Sequence, residues 1–194
     1  MPVYLPFNER KATEAAARLL KLRGGRMSYM KLIKLLYLAD REALFRWGRP
    51  ISTDRYISMD RGPVLSHVFS LITDEPDPKT ESLWSQVISE PERYEVQLNQ
   101  EIEPEELSDA EVELLDEIFN RYGKMSRWEL VEFTHRLPEW TDPEGSAVSI
   151  SYRDILWAGG KTESEVAAIE AELAELWAVD FLQPIPPRGK CRCS

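Results

Sequence analysis

From Asn8 to about Arg23, Ala12, Ala15, Ala16, Leu19, Leu20 and Leu22 recur near every third or fourth position, the spacing of one helix face. Asn8 can cap this helix and Gly24-Gly25 can stop it. The next segment, from a Ser28 cap to about Trp47 before Gly48, has a different pattern. In Leu32-Ile33-Lys34-Leu35-Leu36-Tyr37-Leu38-Ala39 only Lys34 is charged. A helix apolar nearly all round is buried nearly all round, so this segment is expected to be the central helix of the domain. Lys31, Lys34 and Arg41 lie three and seven residues apart and share one face, which predicts a thin solvated stripe.

Beyond it, Pro50 to Ser58 reads as loop leading into a short strand near Tyr56-Ile57-Ser58-Met59. In Arg61-Gly62-Pro63, glycine supplies an unusual backbone angle and Pro63 fits a first helical position; Val64, Leu65, Val68, Phe69 and Ile72 then give an apolar helix face. Asp74 to Thr80 reads as loop and Glu81 to Ile88 as a short helix. Tyr94-Glu95-Val96-Gln97-Leu98 alternates like a strand, and pairing with the strand near Ile57 would make a small hairpin or sheet.

Three capping boxes organise the remainder: Ser108 to Glu111, Ser126 to Glu129 and Thr162 to Glu165. The first opens a helix with Val112, Leu115, Phe119 and Tyr122 on one stripe, ended by Gly123. The second is stopped by Pro138. The third opens a helix with Val166, Ile169, Leu173, Leu176 and Trp177 inward, and a short helix near Tyr152 to Trp157, ended by Gly159-Gly160, precedes it. The fold expected is mainly α (α+β): a single compact helical domain over residues 1–182 around a buried central helix, with a small β-hairpin or short sheet at one edge. Residues 183–194, with three prolines, Cys191 and Cys193, read as a flexible tail.

A chain of 194 residues can bury a core without metal or disulfide staples. No apolar run approaches the ~20 residues of a membrane span and the start lacks a secretory pattern, which points to a cytoplasmic protein. The net charge of −10 disfavours a nucleic-acid coat. That charge is split: residues 1–61 hold 13 Lys/Arg against 6 Asp/Glu, net +7, and residues 62–194 hold 11 against 28, net −17. Either the two parts neutralise each other or one faces a charged partner.

Little chemistry is written into the chain. His67, among Val64, Val68 and Leu71, suggests packing, and His135, before Leu137-Pro138-Glu139-Trp140, suggests a buried histidine ordering a turn. There is no Gly-x-Ser-x-Gly elbow, phosphate loop or four-ligand zinc spacing, so no catalytic group, cofactor or metal is expected. The acids from Glu101 to Glu117 read as a solvated acidic surface. Gly24-Gly25 between two helices could suggest a helix-turn-helix, but the second helix has too little polar surface to read bases.

Met30-Lys31-Leu32-Ile33-Lys34-Leu35-Leu36-Tyr37-Leu38-Ala39-Asp40 resembles the Lys-Leu-x-Lys-Leu-Leu-Tyr signature of the Panacea antitoxin domain, the SocA-like or GepA-like family. Gly48 to Ile51 followed by Tyr56 to Val64, with its Gly62-Pro63-Val64, resembles that family's next block. Leu107 to Gly123 and Leu130 through His135 to Trp140 resemble its third, and the resemblance extends over roughly residues 10–178. Pro138-Glu139-Trp140 departs from a commoner Pro-Trp pair by one inserted residue. The resemblance implies a non-enzymatic antitoxin of a bacterial or phage (prophage) toxin–antitoxin pair, neutralising a cognate protein toxin by direct binding. One branch of the family also delivers its toxin to a protease. Many members carry an added DNA-binding region, for which this chain has no spare length.

The expected partner-binding face is an exposed one around Lys34, Arg41, Tyr56 and Arg61. Lys31, Leu32, Leu35, Leu36, Tyr37, Gly62, Pro63, Val64, His135 and Trp140 carry the resemblance and are expected to be structural, with Tyr37, Tyr56 and Trp140 packing in the core. The competing expectations are a transcriptional regulator using the basic first third and a His135-dependent hydrolase or transferase.

Overall fold

The structure is a computed structural model describing residues 5–74 and 82–182; the predicted tail 183–194 lies outside these residues, as does most of the predicted loop from Asp74 to Thr80. Helix α1 (Glu9–Arg23) starts where Asn8 Oδ1 accepts from the Lys11 amide and ends where Gly24, at φ +92°, admits the left-handed turn. It buries Ala12, Ala15, Ala16, Leu19 and Leu20. Short strand β1 (Arg26–Ser28) leads into helix α2 (Tyr29–Trp47). Ser28 holds the cap position, but its hydroxyl caps nothing; the Tyr94 carbonyl accepts from the Tyr29 amide instead.

Helix α2 is the centre of the domain, buried without interruption from Lys31 to Asp40. Strands β2 (Tyr56–Met59) and β3 (Gly62–Leu65), helix α3 (Ser66–Thr73) and helix α4 (Leu83–Val87) follow. Then come strand β4 (Glu95–Gln97), helices α5 (Asp109–Tyr122) and α6 (Arg127–His135), strand β5 (Val148–Ile150), and helices α7 (Tyr152–Ala158) and α8 (Glu163–Leu182). Around α2 pack α1, α3, α5, α6, α7, β1 and β3. The fold is mainly α with two small antiparallel sheets.

The sheets correct the predicted pairing. β4 does not meet β2; it pairs with β1, Met27 opposite Val96, while β2 lies between β3 and β5. Neither β1 nor β5 was expected, since three residues carry too short an alternation to read. Gly62-Pro63-Val64-Leu65 is a strand rather than a helix start, and α3 begins only at Ser66. The first amides of α3 are met from a distance: Asp54 accepts from the His67 and Val68 amides at 2.9 and 3.0 Å. In the same way Glu14 accepts from the Glu106 and Leu107 amides ahead of α5, and Glu9 from the Trp84 amide in α4. All three predicted capping boxes form, and Ser151 with Asp154 makes a further one at α7. On α8, Val166 and Leu173 are buried as expected, but Leu176 is exposed; the Trp177 side chain lies outside the described set.

The opposite charges face each other. Arg10 meets Glu105, Lys11 meets Glu111, Arg18 meets Asp116, Lys21 meets Glu101, Arg26 meets Glu95, Arg41 meets Glu139 and Arg46 meets Glu117. The acidic stretch from Glu101 to Glu117 is therefore a partner of α1 and α2 as well as a solvated surface. Most of these pairs are exposed and each contributes at most about 1 kcal/mol.

Gly62 stands at the hinge of the β2–β3 turn with φ +90°, a backbone angle costly for any residue with a side chain. A Cβ there would lie 2.7 Å from Thr134 Oγ1 and 2.9 Å from Lys34 Nζ. Gly62→Ala therefore combines backbone strain with a clash against buried groups and should lower stability by about 2–3 kcal/mol in urea unfolding. A loss below about 0.5 kcal/mol would show that this corner is not packed as described.

Candidate functional site

The polar residues of α2 do not form a solvated stripe. They reach four different parts of the chain. Lys31 Nζ donates to the Gly123 and Met125 carbonyls at 2.6 and 2.7 Å, meeting the orphan carbonyls past the end of α5. Asp40, fully buried, accepts from the Ile51 and Ser52 amides, the Ser52 hydroxyl and the Tyr56 hydroxyl. Burial pushes its carboxyl up to about 6, against the opposing pull of the Ser52 and Tyr56 hydrogen bonds. Tyr37 Oη donates to Glu139 Oε1 at 2.9 Å, and Arg41 Nε donates to the same oxygen at 2.6 Å. Glu139, the residue inserted into the Pro-Trp pair, is thus the shared acceptor that ties the α6–β5 connection to α2.

Lys34 has the sparest environment of the set. Its side chain is 1% exposed, and its ammonium donates to one acceptor, the Pro63 carbonyl at 2.7 Å. Burial lowers its pKa to about 7. Above it the His135 ring stacks on Trp140 at 4.1 Å, and His135 Nε2 is buried without a hydrogen-bond partner. Burial and the neighbouring Lys34 charge both lower the His135 pKa. His135 is therefore a packed residue at the Gly62 corner, as expected. His67 differs in detail: it stacks on Phe7 at 4.7 Å and its Nδ1 lies 2.7 Å from Asp54 Oδ1.

Lys34 lines a cavity of about 310 Å³ whose wall is Tyr29, Ile33, Val64 and Phe69, with Asp60 and Arg61 at its mouth. That volume and that mixture of an apolar wall with a few convergent polar groups suit a binding pocket. Exposed aromatic residues flank it. Trp128, 50% exposed, lies 5.7 Å from the Arg61 guanidinium and 5.3 Å from that of Arg127. Tyr94, 64% exposed, lies 6.4 Å from Tyr29. A wider groove of about 740 Å³ between α3 and α4 is less apt, because its Glu9 and His67 are already engaged by Ser82, Trp84 and Asp54.

Of the four residues expected to share an exposed face, Lys34 and Arg61 come together at this cavity. Tyr56 is fully buried, its ring edge-on to Tyr37 at 5.5 Å, so it is no part of an exposed face. Arg41 turns inward to Glu139, because an unpaired buried carboxylate costs far more than an exposed arginine gains. Sequence reasoning missed Glu139, Tyr29 and Trp128. For Glu139 the insertion itself was the signal; for the aromatics nothing in the local pattern separates rim from core. Among the described residues no group of His, Cys, Asp and Glu could hold a metal ion, and no helix is long and apolar enough to cross a membrane.

Two measurements check this arrangement. Glu139→Ala strands Arg41 and the Tyr37 hydroxyl, and should cost about 3 kcal/mol in urea unfolding; an effect near zero would show that the buried pair does not form. Lys34 is about half-protonated when folded at pH 7 and loses its proton above it, but stays cationic when unfolded up to its ordinary value of 10.5, so the unfolded state binds more protons across that window. Its contribution to stability should therefore rise from pH 7 to pH 10, by up to about 1 kcal/mol per pH unit. Lys34→Met should flatten that rise, and parallel wild-type and variant curves would refute the assignment.

Comparison with known families gives one match: residues 32–141, more than half of the chain, match the family described as antitoxin SocA-like, Panacea domain. No curated protein and no solved structure matches. The matched span runs from the second residue of the α2 signature, Leu32, to one residue beyond Trp140. It holds Lys34, the Gly62-Pro63 strand, Arg61, His135 and Glu139. The chain belongs to the antitoxin SocA-like, Panacea domain family.

Proposed function

We propose that this protein is an antitoxin that neutralises a co-encoded protein toxin in the cytoplasm by direct contact, without catalysis. Family membership carries this reading. The structure is consistent with it in a specific way. Exposed aromatic and arginine side chains beside a concave apolar patch make up the composition enriched at protein–protein interfaces, and Trp128, Tyr94 and Arg61 beside the Lys34 cavity have that composition.

The competing readings fare less well. A DNA-binding surface needs free cations, yet seven cations of the first 61 residues are paired with acids of the remainder. A hydrolase needs a base within reach of a nucleophile and an orienting group. His135 is instead stacked on Trp140, and Glu139, four residues on, is held by Tyr37 and Arg41.

Expressing the neighbouring gene alone and together with this chain tests the proposal. The expected outcome is growth arrest by the neighbour alone, rescue on co-expression, and co-purification of the two proteins. A neighbour that is harmless alone, or toxic regardless of this chain, overturns it.

A further inference from the structure

Most cations in the first third of the chain have an acid from the same chain beside them, and Lys31 has two carbonyls. Lys34 and Arg61 are different. Among the described residues neither forms an ion pair, and both line the same cavity of about 310 Å³. An ammonium carries three donors. Lys34 uses one, on the Pro63 carbonyl, while its side chain is 1% exposed. A buried donor without an acceptor is unfavourable, and the same burial disfavours the ammonium form of Lys34, which an incoming counter-charge would restore. His135 Nε2, near the same Gly62 corner, is also without a partner. Arg61 contributes a second guanidinium at the mouth, where Trp128 rather than a carboxylate is its neighbour. The one acid of the cavity, Asp60, accepts from the Gly145 amide at 3.2 Å, so it is held to the β5 side of the mouth.

The rest of the wall is apolar: Tyr29, Ile33, Val64 and Phe69. The volume suits one or two side chains and not a folded element. The missing complement is therefore a negative charge beside an apolar group. Two basic groups without a carboxylate partner, Arg61 permanently charged and Lys34 able to take up its proton, are a local reversal of sign in a protein of net charge −10, which selects for an acidic group among possible occupants.

We propose that the Lys34–Arg61 cavity receives a carboxylate side chain of the partner protein, with an adjacent apolar side chain seated against Tyr29, Ile33, Val64 and Phe69. This deepens the antitoxin reading and rests on it for the identity of the occupant as protein. The carboxylate accepts from Lys34 Nζ inside and from the Arg61 guanidinium at the mouth, and the apolar neighbour fills the volume that would otherwise hold water. The exposed Trp128 and Tyr94 then form the rim that excludes solvent from the charged contact.

Two arms test this. In the first, the ¹⁵N-labelled full chain is titrated with the capped dipeptide acetyl-Phe-Glu-amide and with its neutral counterpart acetyl-Phe-Gln-amide. Shift changes clustered at Tyr29, Ile33, Arg61 and Val64 are expected, at least tenfold weaker in apparent affinity for the glutamine peptide and for the Arg61→Ala variant. Equal responses to the two peptides, or no clustered shift up to 10 mM, overturn the proposal. In the second, the neighbouring gene's product is bound to wild type, Lys34→Met and Arg61→Glu chains, each checked for folding by circular dichroism. A fall of at least tenfold in affinity for the folded variants supports the proposal; should Lys34→Met fail to fold, the exposed Arg61→Glu decides. Undiminished binding by folded variants overturns the cavity assignment and leaves the antitoxin reading standing. No binding by wild type refutes that reading, and the dipeptide arm then decides the cavity alone.

Discussion

A helix buried on all sides cannot carry polar groups unless the elements around it supply their partners. Helix α2 carries five such groups in its middle, and each has a partner from a different part of the chain: Lys31 on the carbonyls past α5, Lys34 on Pro63, Tyr37 and Arg41 on Glu139, Asp40 on the Ile51–Ser52 amides and Tyr56. Hydrogen bonds to charged groups contribute about 1.5–3 kcal/mol each, and losing one partner of a buried set costs more than the bond contributes. The helix thereby sets the position of strand β3 and three irregular segments as well as forming the core. Four of these groups, Lys31, Lys34, Tyr37 and Asp40, lie in the Met30–Asp40 block that resembles the family's signature. That block forms a helix apolar enough to be central and polar enough to hold its surroundings in register.

The same constraint shapes the surface left for a partner. The strong charge asymmetry along the chain is used largely inside the protein, where α1 and α2 lie against α5 and the segment preceding it. Beside the β2–β3 turn lies a small concave patch with an apolar wall, lined also by Lys34 and Arg61, neither of which forms an ion pair among the described residues. Gly62 makes this patch possible, since only a residue without Cβ lets the turn approach Lys34 and Thr134 so closely.

The sequence was informative wherever the controlling interaction is local. Helix extents for α1, α2 and α5 follow from their apolar patterns, α6 and α7 from their stop signals at Pro138 and Gly159-Gly160, and the capping boxes from serine or threonine three residues ahead of an acid. The burial of Tyr37 and the central place of α2 were legible for the same reason; Tyr56 was expected both in the core and on the exposed face, and only the core reading holds. The three-residue strands were not, because pairing over so short a run is decided by the partner strand and not by alternation. The N-terminal amides of α3 and those preceding α5 are likewise met by Asp54 and Glu14 from far along the chain, which no local pattern announces.

By itself, then, the sequence determined a helical domain around one buried helix, a charge split of +7 and −17, and membership signals of an antitoxin family. Only the tertiary structure decided how the charges are used, and it decided against a solvated stripe on α2. Lys31, Lys34 and Arg41 share a helix face, but their environments differ because three different elements pack over them: the end of α5, the β2–β3 turn and the α6–β5 connection. Periodicity reports which way a side chain points from its own helix. Whether it meets carbonyls, a carboxylate or an open cavity depends on contacts 29 to 98 residues away, which is why Arg41 and Lys34 look alike in the sequence and do opposite things in the fold.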